Sequence, residues 1–369
     1  MIPIVRPWLP PLEEYVTLLE RIWKTRMLSN FGEFSQQLEA QAAVYLEVPE
    51  SRGVVSCDIG LIITLKALGL PDGTPCFVSD FTFNSTVNAA IWAGLRPVLV
   101  DVDALSFNMS DESLEVAMRG QPPGVVLATH VFGNPCDVDS LKRRADVHGS
   151  RLVFDAAHAY GSMHGGTKVG GFGDAEVFSF SGTKLVTMAE GGLVSTHDPE
   201  LAERVTYLRA YGFQTDYVSR FTGLNGKLSE LHAALGTLEL DLIEPLLKQR
   251  LDLLGRYHDH LDGVVGWQQV RETDRSTFKD LALDLGTAQR REAVQRALSA
   301  ADIQSKRYFV PLHTMPAYAQ FVESKGYPTT CDLHEKLLCV PLFPGLRLDD
   351  VDRICDLVVA ALEPGDERD

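Results

Sequence analysis

The sequence has no excess of basic residues: Lys and Arg number 34 against 50 Asp and Glu, a net charge of −16. That deficit excludes a protein whose main task is gripping nucleic acid or an anionic membrane, but not an anionic small molecule held by local donors. No apolar run of membrane-spanning length is present. The best stretch, Val87 to Val100, is broken by Asn88, Arg96 and Pro97, so no transmembrane helix is expected. The N-terminus, MIPIVRPWLPPLEEY, has prolines in its apolar part followed by Glu13-Glu14, which does not read as a signal peptide. Cysteine is sparse. The six residues, Cys57, Cys76, Cys136, Cys331, Cys339 and Cys355, form no CxxC pair and read as reduced, mostly buried thiols of a cytoplasmic protein. Metal-ligand spacing, internal repeats and low-complexity segments are absent as well, and only Pro364 to Asp369 reads as a tail.

What is present is alternation. The composition, 45% hydrophobic and 23% charged over 369 residues, is that of an ordered globular chain with length for roughly two to three domains. Leu12, Tyr15, Val16, Leu19, Ile22 and Trp23 recur at helical spacing after Pro10-Pro11. From residue 52, short apolar runs follow one another: Val54-Val55, Cys76–Val78, Pro97–Val100, Gly124–Thr129, Leu152–Phe154 and Val177–Phe180. Helical stretches, such as Ile59–Leu68, Ser85–Ala93 and Val138–His148, lie between them. Such alternation predicts an α/β fold, a mostly parallel sheet covered by helices on both faces, with ligands at the carboxyl ends of the strands. A helix over Leu228–Leu242 is expected to stop before Pro245, and a second to run over Leu246–Leu261. Beyond Gly263 the pattern is that of a smaller α+β unit, with a strand over Phe278–Leu285 and helices over Gln289–Ser299 and Asp350–Leu362. The expected division is a large domain over 1–244 and a small C-terminal domain over 245–369.

Two residues at strand ends carry the chemistry. Asp155 follows the run Leu152–Phe154 in FDAAHAYG. It reads either as a helix or turn cap or as a carboxylate pointing into the crevice. His158, three residues on, can share a face with it or serve as a hydrogen-bonded structural histidine. Lys184, in VFSFSGTKLVTMAEGG, follows a turn of small and hydroxylic residues. It reads as an exposed turn lysine or, among apolar and hydroxyl neighbours, as an amine freed for nucleophilic work by desolvation. Taken together, the two match the needs of a pyridoxal phosphate site: a lysine anchor, and a carboxylate that keeps the pyridine nitrogen protonated. Ser179 could add a hydroxyl for the phosphate, and the turn Ser56-Cys57-Asp58 could add helix N-terminal amides.

The blocks FDAAHAYGS, FSFSGTK and AEGG resemble those of the DegT-type, fold-type I, nucleotide-sugar aminotransferases. DFTFNSTVNAAIWAGLRPVLVDVD, HVFGNPCDVDSL, GLNGKLSELHAAL, RYFVPLHTMPAY and VPLFPGL each resemble a further block in the same order, over nearly the whole chain. The resemblance implies that Lys184 is the covalent anchor of pyridoxal 5'-phosphate and later moves the proton. It implies that Asp155 pairs with the ring nitrogen, that His158 stands beside the phenolic oxygen, and that Phe83 stacks on the ring. Ser179 and the amides of Cys57 and Asp58 would bind the phosphate. Asn225 would reach the phosphate of a neighbouring subunit, which implies a homodimer with composite sites. Ser56-Cys57-Asp58 stands where the family usually has Asn-Gly-Thr, and an anionic Asp58 is tolerable there if it turns away as the helix cap. Lys227 replaces the usual arginine and loses its bidentate fork.

The implied activity is transfer of an amino group from L-glutamate to a keto-sugar nucleotide in deoxyaminosugar biosynthesis. The N-terminal segment and the Asn-Pro-Cys run most resemble enzymes acting at carbon 4 of dTDP-4-keto-6-deoxyglucose. Tyr308 and His313 match family positions near the sugar. Lys306 and Arg307 read either as solvated surface or as partners of the pyrophosphate. A 3-keto sugar nucleotide or a keto-cyclitol is the alternative acceptor. From other classes, a non-catalytic pyridoxal phosphate-binding regulator and a hydrolase using His130, Asp155 and His158 stand as rivals. No basic helix-turn-helix supports the first, and no nucleophile elbow the second.

Overall fold

The computed structural model describes residues 1–214, 216–322 and 326–363; the tail expected over 364–369 lies outside them. Two helices, Leu12–Thr25 (α1) and Glu33–Leu46 (α2), precede the sheet. The strands Glu50–Val54 (β1), Pro75–Ser79 (β2), Arg96–Val100 (β3), Val125–Thr129 (β4) and Arg151–Asp155 (β5) come next. A small hairpin, Met163–His164 (β6) with Thr167–Lys168 (β7), leads into Ala175–Ser179 (β8) and Gly192–Thr196 (β9). The main sheet has the order β1-β9-β8-β5-β4-β2-β3. Only β9 runs against its neighbours; the other pairings are parallel.

The intervening helices are Cys57–Ala67 (α3), Asn84–Trp92 (α4), Asp111–Met118 (α5), Val138–His148 (α6), Pro199–Leu208 (α7) and Glu230–Leu240 (α8). They cover both faces, and the period-two alternation of each strand decides which residues meet which helices. Val78, Leu127, Val153, Val177 and Val194 pack on one side with Leu61, Val87 and Val205 of α3, α4 and α7. Their neighbours Phe77, Val126, Leu152 and Phe154 pack on the other with Leu114 and Leu141 of α5 and α6. Phe178 and Leu193 continue that face beneath Phe34, Leu38 and Ala234. The central strands β2, β4, β8 and β9 are buried along their whole length. Pro97, which cannot donate to a ladder, lies in the edge strand β3, where a missing donor is tolerated.

Helix Ile243–Leu261 (α9) begins two residues before Pro245. The proline falls in the first turn, where its missing N–H has no intrahelical partner to lose. Strands Gly266–Trp267 (β10), Leu281–Asp284 (β11) and Leu337–Val340 (β12) form a separate antiparallel sheet. Helices α9, Ala288–Ala300 (α10) and Leu348–Leu362 (α12) share a core with it through Leu253, Tyr257, Leu283, Val294, Leu298, Val340 and Ile354. Helix Pro328–Lys336 (α11) leads into β12. The strand expected from Phe278 begins only at Leu281, because Phe278 turns left-handed with φ 45°.

Gly192 opens β9 where the chain must pass the start of α3. A Cβ there would stand 2.7 Å from the Cys57 amide nitrogen and 2.9 Å from the Phe178 carbonyl oxygen. Both are backbone atoms that cannot swing aside. Gly192→Ala is therefore expected to destabilise the fold by roughly 1–3 kcal/mol, measured as a lowered denaturant midpoint. An unchanged midpoint would show that the strand and helix can part at no cost.

Candidate active site

The carboxyl ends of β4, β5 and β8 meet the N-termini of α3 and α4 around a cavity of about 390 Å³. Cys57, Asp58, Phe83, Asp155, His158, Ser179, Lys184 and Tyr308 all line it. Asn225, Lys227 and His313 do not.

Asp155 ends β5 and is 3% exposed. Both readings of this residue hold at once. Oδ1 accepts the Ala157 N–H at 3.1 Å, as a turn cap does, and Oδ2 accepts the Thr86 hydroxyl at 2.7 Å, while the carboxylate still faces the cavity. Burial pushes its pKa up, and the bonds from Thr86 and Ala157 and the charge of Lys184 oppose that. The Thr86 oxygen lies 2.9 Å from that of Thr82, which lies 2.8 Å from that of Thr129. An ionised carboxylate only accepts, and each hydroxyl has one proton. The proton order is thus Thr129 to Thr82 to Thr86 to Asp155. None of these threonines stood out in the sequence, where each looks like an ordinary strand-end or helical residue.

Lys184 sits in the turn after β8, its amide donating to the Ser181 carbonyl at 3.0 Å. Its Nζ has no hydrogen-bond or ion-pair partner among the described residues, and the side chain is half-buried. Burial and the nearby Lys279 charge push its pKa down to about 8. His158 has a buried Nδ1 without a partner. Its ring lies nearly parallel to Phe132 and Phe309, with centroids 6.4 Å away in both cases. Burial pulls its pKa well below the usual range, so the ring is neutral at pH 7. Phe83 precedes α4 and is 53% exposed, which leaves the ring uncovered towards the cavity.

At the start of α3, the Ser56 hydroxyl accepts the Ile59 N–H at 3.2 Å and so caps the helix. This corrects the expectation that Asp58 is the cap: Asp58 lies in the first turn, where its charge faces the positive end of the helix dipole. The Cys57 and Asp58 amides come before any intrahelical acceptor. Ser179, 9% exposed, ends β8 beside them in the same cavity. This donor set suits a flat, phosphorylated pyridine aldehyde. Amides and a hydroxyl could meet the phosphate, a buried carboxylate the ring nitrogen, an orphaned imidazole nitrogen a ring substituent, and a free amine the aldehyde.

Other expected residues lie elsewhere. His313 is held by Asp80, with Nδ1 2.6 Å from Oδ2 and its amide donating to Oδ1 at 2.9 Å. Arg307 bonds His334 Nε2 at 3.0 Å, whereas Lys306 lines the cavity beside Tyr308. Lys227 lies over the Tyr211 ring at 4.3 Å, and Asn225 is exposed. The hydrolase set does not converge. His130 is fully buried outside the cavity; Cys136 N–H donates to Nδ1 at 2.9 Å, so the proton sits on Nε2, 3.1 Å from Glu176. Lys279 and Phe309 also line the cavity and were missed, because Lys279 looked like the solvent-side residue of an alternating strand.

Two measurements check this site. In the cofactor-free protein, modification of Lys184 by an amine-selective reagent is expected to be half-maximal near pH 8, not near the 10.5 of an ordinary lysine, because the free amine accumulates only above its pKa. A midpoint near 10 would refute the desolvated placement. In Thr86→Val, Asp155 loses a bond to its charged form, so its carboxyl titration is expected to move up; an unchanged infrared or NMR titration would show the threonine chain to be idle.

Comparison with known proteins agrees with this geometry. Residues 12–359 match the profile of the DegT/DnrJ/EryC1/StrS aminotransferase family. GDP-perosamine synthase of Vibrio cholerae is 28% identical over 97% of this chain and 98% of its own. The dTDP-4-amino-4,6-dideoxy-D-glucose transaminase of Escherichia coli is 28% identical over 98% of this chain and 99% of its own. The crystal structure of DesI in the presence of its TDP-sugar product superposes with a TM-score of 0.90, at 30% identity, over 98% of this chain and 93% of that one. By this match over nearly its whole length, the chain belongs to the DegT/DnrJ/EryC1/StrS aminotransferase family, a family of pyridoxal phosphate-dependent sugar transaminases.

Proposed function

We propose that this aminotransferase moves the amino group of L-glutamate to carbon 4 of dTDP-4-keto-6-deoxyglucose, in the cytoplasm and as a homodimer. The observation that carries the reading is the pairing, in one cavity, of an unpartnered Lys184 amine with the buried Asp155 carboxylate. Lys184 would anchor the cofactor, with Ser179 and the Cys57 and Asp58 amides on its phosphate, Phe83 on its ring face and His158 beside its phenolic oxygen. When bound, pyridoxal phosphate supplies an electron sink for the pair left at the donor's α-carbon. Lys184, freed by the donor amine, would take the donor's α-proton and give it back as a general acid. Asp155 would hold the proton on the ring nitrogen throughout. With the donor released as 2-oxoglutarate by water, Lys184 would run the same proton transfer in reverse at the keto carbon of the sugar. We place the cofactor-binding part over 1–244 and the smaller domain over 245–369.

The carbon-4 assignment draws on the Escherichia coli relative, whose name carries that position. The Vibrio cholerae relative, equally similar at 28%, is named for a GDP sugar and favours a GDP-linked acceptor as the second reading. The dimer is supported by exposed apolar side chains on 211–224, including Tyr211, Tyr217, Phe221 and Leu224, next to an exposed Asn225 that does not reach its own cavity. Lys227, two residues on, would approach a partner's substrate.

The purified protein is expected to be yellow, to bleach with L-glutamate and to recover its colour with the dTDP keto sugar. Recovery only with a GDP-linked keto sugar would select the second reading. Lys184→Ala should lower turnover by about 10²–10⁴-fold or more and abolish the borohydride-fixed adduct. A surviving adduct would remove Lys184 from its role.

A further inference from the structure

Lys279 is a buried cation that no part of the cofactor needs. It is 7% exposed, lines the cavity that holds Lys184, and lies 3.0 Å from both carboxylate oxygens of Asp280, which is 8% exposed and stands behind it. Taking an ammonium and a carboxylate out of water is costly even when they are paired. The backbone that aims this pair is also irregular. Phe278 is left-handed at φ 45° and Phe132 at φ 56°, and the Lys279 amide donates to the Phe132 carbonyl at 2.8 Å. Arg250, 1% exposed, ties the Phe278 and Lys279 carbonyls from the far side at 2.8 and 3.1 Å. Left-handed phenylalanines cost conformational energy, and such strain persists where the surroundings over-determine it, often at binding sites. The effect is to delay the start of the strand by three residues, to Leu281, and to turn Lys279 towards the cavity instead of towards solvent.

We propose that Lys279 binds the α-carboxylate of the amino donor. This rests on the reading of Lys184 as the residue that moves the donor's α-proton. An amino acid carries its carboxylate on the same carbon that gives up that proton, so its anion must lie close to Lys184 Nζ. The keto-sugar nucleotide has no charge near its reacting carbon; its diphosphate lies across the sugar ring. Lys279, 7% exposed and lining the same cavity as Lys184 and His158, belongs to its buried side. Lys306, exposed and beside Tyr308, stands at the rim. Asp280 behind and the ammonium in front make an oriented dipole with its positive end towards the donor. The phosphate is served separately by the α3 amides and Ser179, so the two anions do not compete.

The two half-reactions of the holoenzyme separate donor from acceptor: bleaching is titrated with L-glutamate, and recovery with the keto-sugar nucleotide. In Lys279→Met the L-glutamate concentration for half-maximal bleaching rate is expected to rise by about 10–100-fold, the range for a lost charged hydrogen bond, with the acceptor constant unchanged. Lys279→Arg should restore most of the donor affinity. Because Lys279→Met strands a buried Asp280, the double variant Lys279→Met/Asp280→Leu, which removes the whole pair, is measured beside it and should show the same donor-specific loss. An unchanged donor constant in the double variant would overturn the assignment, as would a loss confined to the acceptor, which would give Lys279 to the diphosphate. If L-glutamate does not bleach even the unsubstituted protein, the donor reading itself falls. Intact bleaching that ignores the substitutions overturns Lys279 alone.

Discussion

The site depends on a carboxylate that has been taken out of water. Asp155 is 3% exposed at the end of an interior strand, and an ion there must be satisfied by the protein or take up a proton. The protein supplies an amide from the turn that follows and a chain of three hydroxyls from β4 and the start of α4. A carboxylate has about four acceptor directions, and two are used, so a protonated ring nitrogen can still be received from the cavity. The same chain has a second consequence. Thr82 and Thr86 flank Phe83 along the sequence, so the bonds that hold Asp155 also fix the aromatic residue of α4 relative to the carboxylate. For the proposed cofactor, ring stacking and ring protonation would then be one geometric problem.

Lys184 is the counterpart, its amine without a partner among the described residues. A carboxylate in direct contact would have kept it protonated and unreactive; burial and a second lysine do the opposite. The chain as a whole carries −16, yet three lysines, Lys184, Lys279 and Lys306, gather at this cavity. Net charge acts on solubility and long-range partners, whereas the site is governed by directed dipoles and by charges a few ångströms away. Global acidity and an anionic ligand are therefore compatible.

Asp155 and Lys184 were legible in the sequence because their signal is positional: a carboxylate and an amine at the ends of successive apolar runs in an α/β pattern. The parallel strands were legible for the same reason, being continuous apolar runs. Strand β9 was not, since GLVST contains too few large apolar residues to mark a strand, and its burial comes from its place between β1 and β8. Thr86 and Thr129 carry no signal, because a hydroxyl's role depends on which carboxylate the fold brings to it. His313 matched a position in a resembling block, but Asp80, 233 residues away in sequence, claims its ring. Lys279 misled through a correct rule wrongly extended. The alternation beginning at Phe278 is real in composition, but long-range bonds from Phe132 and Arg250 override it.

Two regions of the chain therefore do different work in one cavity. The floor is built from β4, β5, β8 and the starts of α3 and α4, where Asp155 and its threonines are mutually dependent and tolerate little change. The opposite wall comes from residues 279–309, where Lys279, Lys306, Tyr308 and Phe309 touch the cavity without sharing a hydrogen bond with Asp155 or Lys184. Substitutions there can reshape what is bound without removing a hydrogen bond from Asp155, although loss of the Lys279 charge would let the Lys184 pKa rise. Relatives of equal similarity are named for GDP- and dTDP-linked sugars. If, as proposed, the chemistry rests on the floor and the choice of substrate on this wall, that division offers a physical route to such divergence.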